Sequence, residues 1–125
     1  MRLLVDAHTL LWWLDDPALL SEAARSAIRD ARNEVLVSAA TIWEIVIKQA
    51  LGKLKAPDDL EVAISSCRFA TLPITVPHAL AVRGLPAIHR DPFDRMLVAQ
   101  AMAEHLQIVT RDTTLPKYPV RCLVA

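Results

Sequence analysis

The sequence predicts an α/β domain of three layers, a parallel β-sheet with helices on both faces. Three observations carry this expectation. Short apolar runs alternate along the chain with segments of helical pattern, the order that builds strand–helix–strand units. The runs are apolar throughout and lack period-two alternation, as strands covered on both faces require. A length of 125 residues, 54% hydrophobic and with only 2 glycines, argues against linkers and low-complexity tracts. Residues 1–125 are therefore expected to form one domain, long enough to bury roughly two-thirds of its unfolded surface.

Leu3-Leu4-Val5 reads as the first buried strand, ending at Asp6. A helix is expected from about His8-Thr9, carrying Leu10 to Leu14. Five consecutive large apolar residues, Trp12 and Trp13 among them, cannot all face one core, so part of this run is a candidate interface. Coverage of the helix on two sides by its own domain is the alternative. Asp15-Asp16-Pro17 breaks the chain, and Ser21 caps a second helix through Ala24, Ala27 and Ile28. Val35-Leu36-Val37 is the next strand, ended by Ser38. A long helix over 40–51 follows, with Gly52 just past its end.

Pro57-Asp58-Asp59 opens a helix through Leu60, Ala63 and Ile64. Residues 70–74 form a weak strand interrupted by Pro73, and Pro77 starts a short helix that stops at Gly84. In Asp91-Pro92-Phe93-Asp94, Asp91 is suited to cap a helix, Pro92 to its first position and Asp94 to the positive end of its dipole. The apolar and small residues after Arg95 carry this helix into the core, to about His105. Ile108-Val109 is a strand running into Thr110-Arg111-Asp112, and residues 120–124 form the last one.

Fourteen basic and fourteen acidic residues cancel, so no global field draws the chain to nucleic acid or membrane; local patches decide. Cys67 and Cys122 have no metal-ligand spacing around them and read as free thiols of a reducing compartment. The chain begins like a signal peptide, but Asp6 and His8 interrupt the apolar run and Asp15-Asp16 close it. Neither a secretory signal nor a membrane span is expected, and the expected location is cytoplasmic.

In an open parallel sheet, chemistry collects beyond the carboxyl ends of the strands, where strand order reverses. Asp6 and Asp112 both follow strands directly, although a turn-former or helix cap would look the same. Glu44 stands in a narrow polar stripe with Thr41 and Lys48 on an otherwise apolar helix. An exposed Glu44–Lys48 pair is the bland alternative, yet Trp43-Glu44-Ile45 suits a cleft rim better. Asp94 gains little as a mere dipole partner, whereas Asp91 is accounted for by capping. Several gathered carboxylates repel unless cations or protons neutralise them. Hard divalent ions with oxygen ligands, Mg²⁺ or Mn²⁺, fit such a set and activate water for displacement at phosphorus. His8, His78 and His105 have structural readings; His89 alone lies near the proposed site, as a possible substrate contact.

Together, an Asp ending the first strand, Glu44 in the third helix, Asp94-Arg-Met-Leu-Val-Ala-Gln-Ala and Val109-Thr-Arg-Asp resemble the PIN domain, most closely VapC-type toxins of toxin–antitoxin pairs. The resemblance covers the whole chain. It implies a sheet ordered 3-2-1-4-5 and a metal-dependent endoribonuclease whose acids are Asp6, Glu44, Asp94 and Asp112, with Asp91 as a further candidate metal ligand. Thr9 and Thr110 match hydroxyl positions beside the first and last acids. Arg95, Arg111 and Lys48 are candidates for phosphate contact. The implied partners are a structured RNA such as a tRNA or rRNA loop, a VapB-type antitoxin and a second copy of the chain, with Trp12 and Trp13 as candidate contacts. The competing readings are a non-catalytic RNA-binding or protein-interaction module, a PIN nuclease without antitoxin, and a phosphatase or receiver domain. Asp6-Ala7-His8 lacks the paired acid that these last two need.

Overall fold

Strand β1 (Arg2–Val5) lies at the centre of a five-stranded, wholly parallel sheet with order β3-β2-β1-β4-β5. Its neighbours are β2 (Glu34–Ser38) and β4 (Gln107–Thr110); β3 (Ala70–Leu72) and β5 (Cys122–Val124) form the edges. In this computed structural model, which describes residues 1–125, the strand order is the one the resemblance implied. Chain direction along the sheet reverses between β1 and β4, the position expected to open a crevice.

Alternation along β1 divides the core. Leu3 and Val5 face one cluster with Val35, Val37 and Val109, while Leu4 faces another with Leu36 and Ile108. The first is covered by α1 (Ala7–Asp15), α2 (Glu22–Arg29) and α4 (Leu60–Ser66), through Leu10, Ala24, Ile28 and Ile64. The second is covered by α6 (Pro92–Glu104), through Leu97, Val98 and Ala101. Helix α3 (Ala39–Ala50) and α5 (Val76–Ala81) complete the layers, and 3₁₀ turns at Pro17–Leu19, Val82–Gly84 and Leu115–Lys117 fill the connections.

The expected caps are in place. Ser21 accepts from the Ala24 amide at the start of α2. Asp91 accepts from Phe93 and Asp94 at the start of α6, with Pro92 at the first helical position. Gly52 adopts φ +71° just past α3, where a left-handed residue ends the helix. Residues 70–74 are shorter as a strand than expected, stopping at Leu72, because Pro73 has no amide to continue the ladder. Cys67 and Cys122 are free and half-buried. No helix is long and apolar enough to cross a membrane.

Candidate active site

Register brings the acids together. Val5 pairs with Val37 on one side and Val109 on the other, so Asp6 and Thr110 leave the sheet at the same level. Asp6 caps α1, its Oδ1 accepting from the Thr9 amide at 3.0 Å, and its Oδ2 accepts from the Thr110 hydroxyl at 2.5 Å. Capping and site chemistry were alternatives for Asp6 in the sequence, and the geometry serves both. Thr9 and Thr110 are themselves buried, and the Thr9 hydroxyl donates to the Val109 carbonyl. Both hydroxyls point inward: that of Thr110 also accepts from the Asp112 amide and so links the first and last acids, whereas Thr9 holds Asp6 through its backbone amide.

Glu44 is 5% exposed on α3, and Lys48 one turn on donates to it at 2.5 Å. That hydrogen bond, against burial, raises the Lys48 pKa above its ordinary value, so the ammonium stays charged beside the acids. An exposed surface pair is excluded. The polar stripe faces inward instead: Thr41 is buried too, and its hydroxyl is the one buried side-chain oxygen without a partner. Trp43 takes the outward position at 60% exposure, edge-on to Phe93.

Asp94 follows the cap of α6. Burial pushes its carboxyl up to about 7, reinforced by the charges of Asp91, Glu44 and Asp6 and opposed by His89. His89, expected from the sequence only as a substrate contact, joins the set itself. Its Nδ1 accepts from the Asp91 amide, which leaves Nε2 as the protonated nitrogen. That N–H donates to Asp112 Oδ2 at 3.2 Å, and the same nitrogen lies 3.0 Å from Asp94 Oδ2. Asp112 is pushed up by burial, but the Thr114 amide and His89 outweigh this and hold its carboxyl below the ordinary value. Ligand atoms of His89, Asp94 and Asp112 all lie within 4.8 Å of one another.

Asp6, Glu44, Asp91, Asp94 and Asp112 line one open hollow of about 380 Å³, shared with His8, Trp12, Lys48, His89 and Arg111. Asp91 Oδ1 is committed to capping. Arg111 donates to the carbonyls of Ala125 and Leu19 and lies 4.3 Å from the Trp12 ring centre. Arg95 is outside the hollow. Its guanidinium, expected from the sequence as a candidate phosphate contact, donates to the Pro86 and Val82 carbonyls and the Tyr118 hydroxyl, and so pins a loop to α6. Trp13 packs against Phe69 beside the first core cluster, so it is domain packing that partly covers this tryptophan.

Five carboxylates around one hollow, against one ammonium, one guanidinium and two imidazoles, form a donor set of hard oxygens with more acids than fixed positive charges. A divalent cation fits it. A PIN domain family model matches residues 3–120. The chain belongs to the PIN domain family. It is 31% identical over 115 residues to Ribonuclease VapC22 of Mycobacterium tuberculosis, covering 90% of this chain and 88% of that protein. It is 38% identical over 68 residues to Ribonuclease VapC16 of the same organism, and there the match spans 50% of this chain and 48% of the relative.

Among solved structures, this PIN domain superposes on VapBC2 from Rickettsia felis bound to a DNA fragment from their promoter, with a TM-score of 0.72 and 11% identity over 98% of each chain. FitAcB from Neisseria gonorrhoeae gives 0.62 and 19%, covering 98% of this chain and 96% of that one. Identities this low speak for the fold alone.

Proposed function

We propose that this PIN domain is a divalent-metal-dependent endoribonuclease and the toxin of a toxin–antitoxin pair. One observation carries the chemistry: Asp6, Glu44, Asp94 and Asp112, brought from four separate parts of the chain, line one hollow, where burial and then the neighbouring carboxylates push the Asp94 carboxyl up to about 7. The ribonuclease names of the two relatives and the VapBC neighbours support the biological assignment.

Asp6, Glu44, Asp94 and Asp112 would hold Mg²⁺ or Mn²⁺, with Asp91 contributing through the oxygen not used in capping. Such an ion, when bound, polarises water and neutralises charge developing on a phosphodiester. The chain's own residues prepare the place. Thr9 and Thr110 fix both oxygens of Asp6, Lys48 donates to the buried Glu44, and His89 Nε2 sits between Asp94 and Asp112. Asp94 must release its proton for a cation to enter, so loading of the site strengthens as pH rises through about 7. Lys48 and Arg111 are the cations facing the hollow, placed to meet the non-reacting oxygens of a phosphodiester. The RNA is a structured one whose exposed loop, as in tRNA or rRNA, offers accessible backbone. The protein partners are a VapB-type antitoxin and a second copy of the chain, and the site of action is the cytoplasm.

The purified chain is expected to cleave an RNA hairpin loop with Mn²⁺ and to lose that cleavage in EDTA and in Asp6→Asn. Cleavage that persists in both would overturn the reading. Full binding of the hairpin without cleavage at any metal concentration would favour a binding module on the same fold.

A further inference from the structure

Beside the carboxylates stands a second group whose chemistry the acids do not explain. His8 and Trp12 lie one turn apart on α1 with ring centres 5.6 Å apart, and the Arg111 guanidinium sits 4.3 Å from the Trp12 ring centre. His8 and Arg111 are exposed and Trp12 is half-buried. His8 and Trp12 line both the acidic hollow and a neighbouring one of about 530 Å³, whose remaining wall includes Leu11, Leu14, Leu19, Pro57 and the exposed Asp15 and Lys55. The two hollows therefore adjoin at His8 and Trp12 and make a track: the carboxylates and Arg111 line the first, the two rings form the shared wall, and Lys55 lines the second together with Asp15.

We propose that His8, Trp12 and Arg111 form a stacking platform for an unpaired base of the RNA, next to the phosphodiester held at the acids, with Lys55 receiving the following phosphate. This rests on the nuclease reading and names which part of the substrate the protein grips. Aromatic and guanidinium planes receive bases whatever their sequence, since every base has a π-face. A phosphate alone would need cations but no rings. An unstacked base uses both. Arg111 is held for the purpose by the Leu19 and Ala125 carbonyls, which fix its plane rather than leave it a mobile surface charge. The track selects single-stranded or loop nucleotides, because a base paired within a duplex cannot reach the rings.

The test is fluorescence anisotropy with two 12-nucleotide oligomers of equal charge, oligouridine and the same backbone with abasic residues, on the metal-free protein. Hairpin cleavage with Mn²⁺ is run in parallel. Wild type is expected to prefer the base-bearing oligomer by about tenfold or more. His8→Ala and Trp12→Leu should shrink that preference towards unity and raise KM for the hairpin with little change in kcat, while Trp12→Phe retains it. His8 is exposed, so its variant keeps the test valid if Trp12→Leu unfolds. Equal affinity of wild type for both oligomers, alongside intact cleavage, would overturn the platform alone and reassign the rings to a protein partner. No cleavage and no binding by wild type would overturn the nuclease reading and the platform with it.

Discussion

Replacing Asp94 with Asn should make the metal-free protein more stable, although it removes a site residue. The carboxyl's ordinary value of 3.8 is displaced to about 7 in the folded chain, by burial first and then by the charges of Asp91, Glu44 and Asp6. Below pH about 4 both folded and unfolded chains carry the proton and no penalty exists. Between about 4 and 7 the unfolded chain has lost it while the folded one keeps it, so stability falls as pH rises. Above about 7 the full penalty applies, and the displacement corresponds to about 4 kcal/mol. Asparagine cannot ionise and so escapes the penalty, but it loses the electrostatic attraction to His89, 3.0 Å away. A net gain of about 2 kcal/mol at pH 8 is expected, or about 8 °C in Tm for a domain this size. The gain should fade towards pH 4. Thermal melts followed by circular dichroism in EDTA, across pH 4 to 8, read this directly. A variant no more stable than wild type at pH 8, or a gain independent of pH, would refute the electrostatic account of the site.

Three further outcomes follow from particular contacts. Lys48→Met leaves the buried Glu44 carboxylate without its cation; since Lys48 is partly solvated, a cost of about 1–2 kcal/mol is expected in urea unfolding at pH 8. Gln100→Ala removes a fully buried amide that accepts from the Ser38 hydroxyl and donates to the Pro73 carbonyl, so about 2–3 kcal/mol should be lost by the same measurement. Arg95→Ala should lower the denaturation midpoint, because three hydrogen bonds go with it, yet leave KM for an RNA hairpin unchanged; a rise in KM with unaltered stability would restore its assignment to phosphate.

Much of the frame was legible in the sequence because local rules and tertiary structure agree there. Leu3-Leu4-Val5 and Ile108-Val109 are buried strands that run straight into polar residues, so Asp6 and Asp112 had to emerge at one end of a parallel sheet. Ser21 and Asp91 announced their helices through capping chemistry. Less legible were the directions of individual side chains. Helix α3 is apolar on nearly every side, so periodicity could not reveal that Thr41 and Glu44 turn inward while Trp43 faces out. The fate of Arg95 depended on loop carbonyls at Val82 and Pro86, which its neighbours in sequence do not announce. His89 bridges two acids only because α6 and the turn after β4 converge, a tertiary fact. Its place two residues before the α6 cap was the one available clue.

The central claim is that acids from four elements make one cation site, and calorimetric titration of Mn²⁺ into the metal-free protein tests it most directly. One saturable binding event is expected at pH 6, with release of a proton seen as a buffer-dependent heat, because Asp94 carries that proton beforehand. Asp6→Asn and Asp112→Asn should each weaken the binding at least tenfold. No binding by wild type, or binding indifferent to both substitutions, would contradict the account.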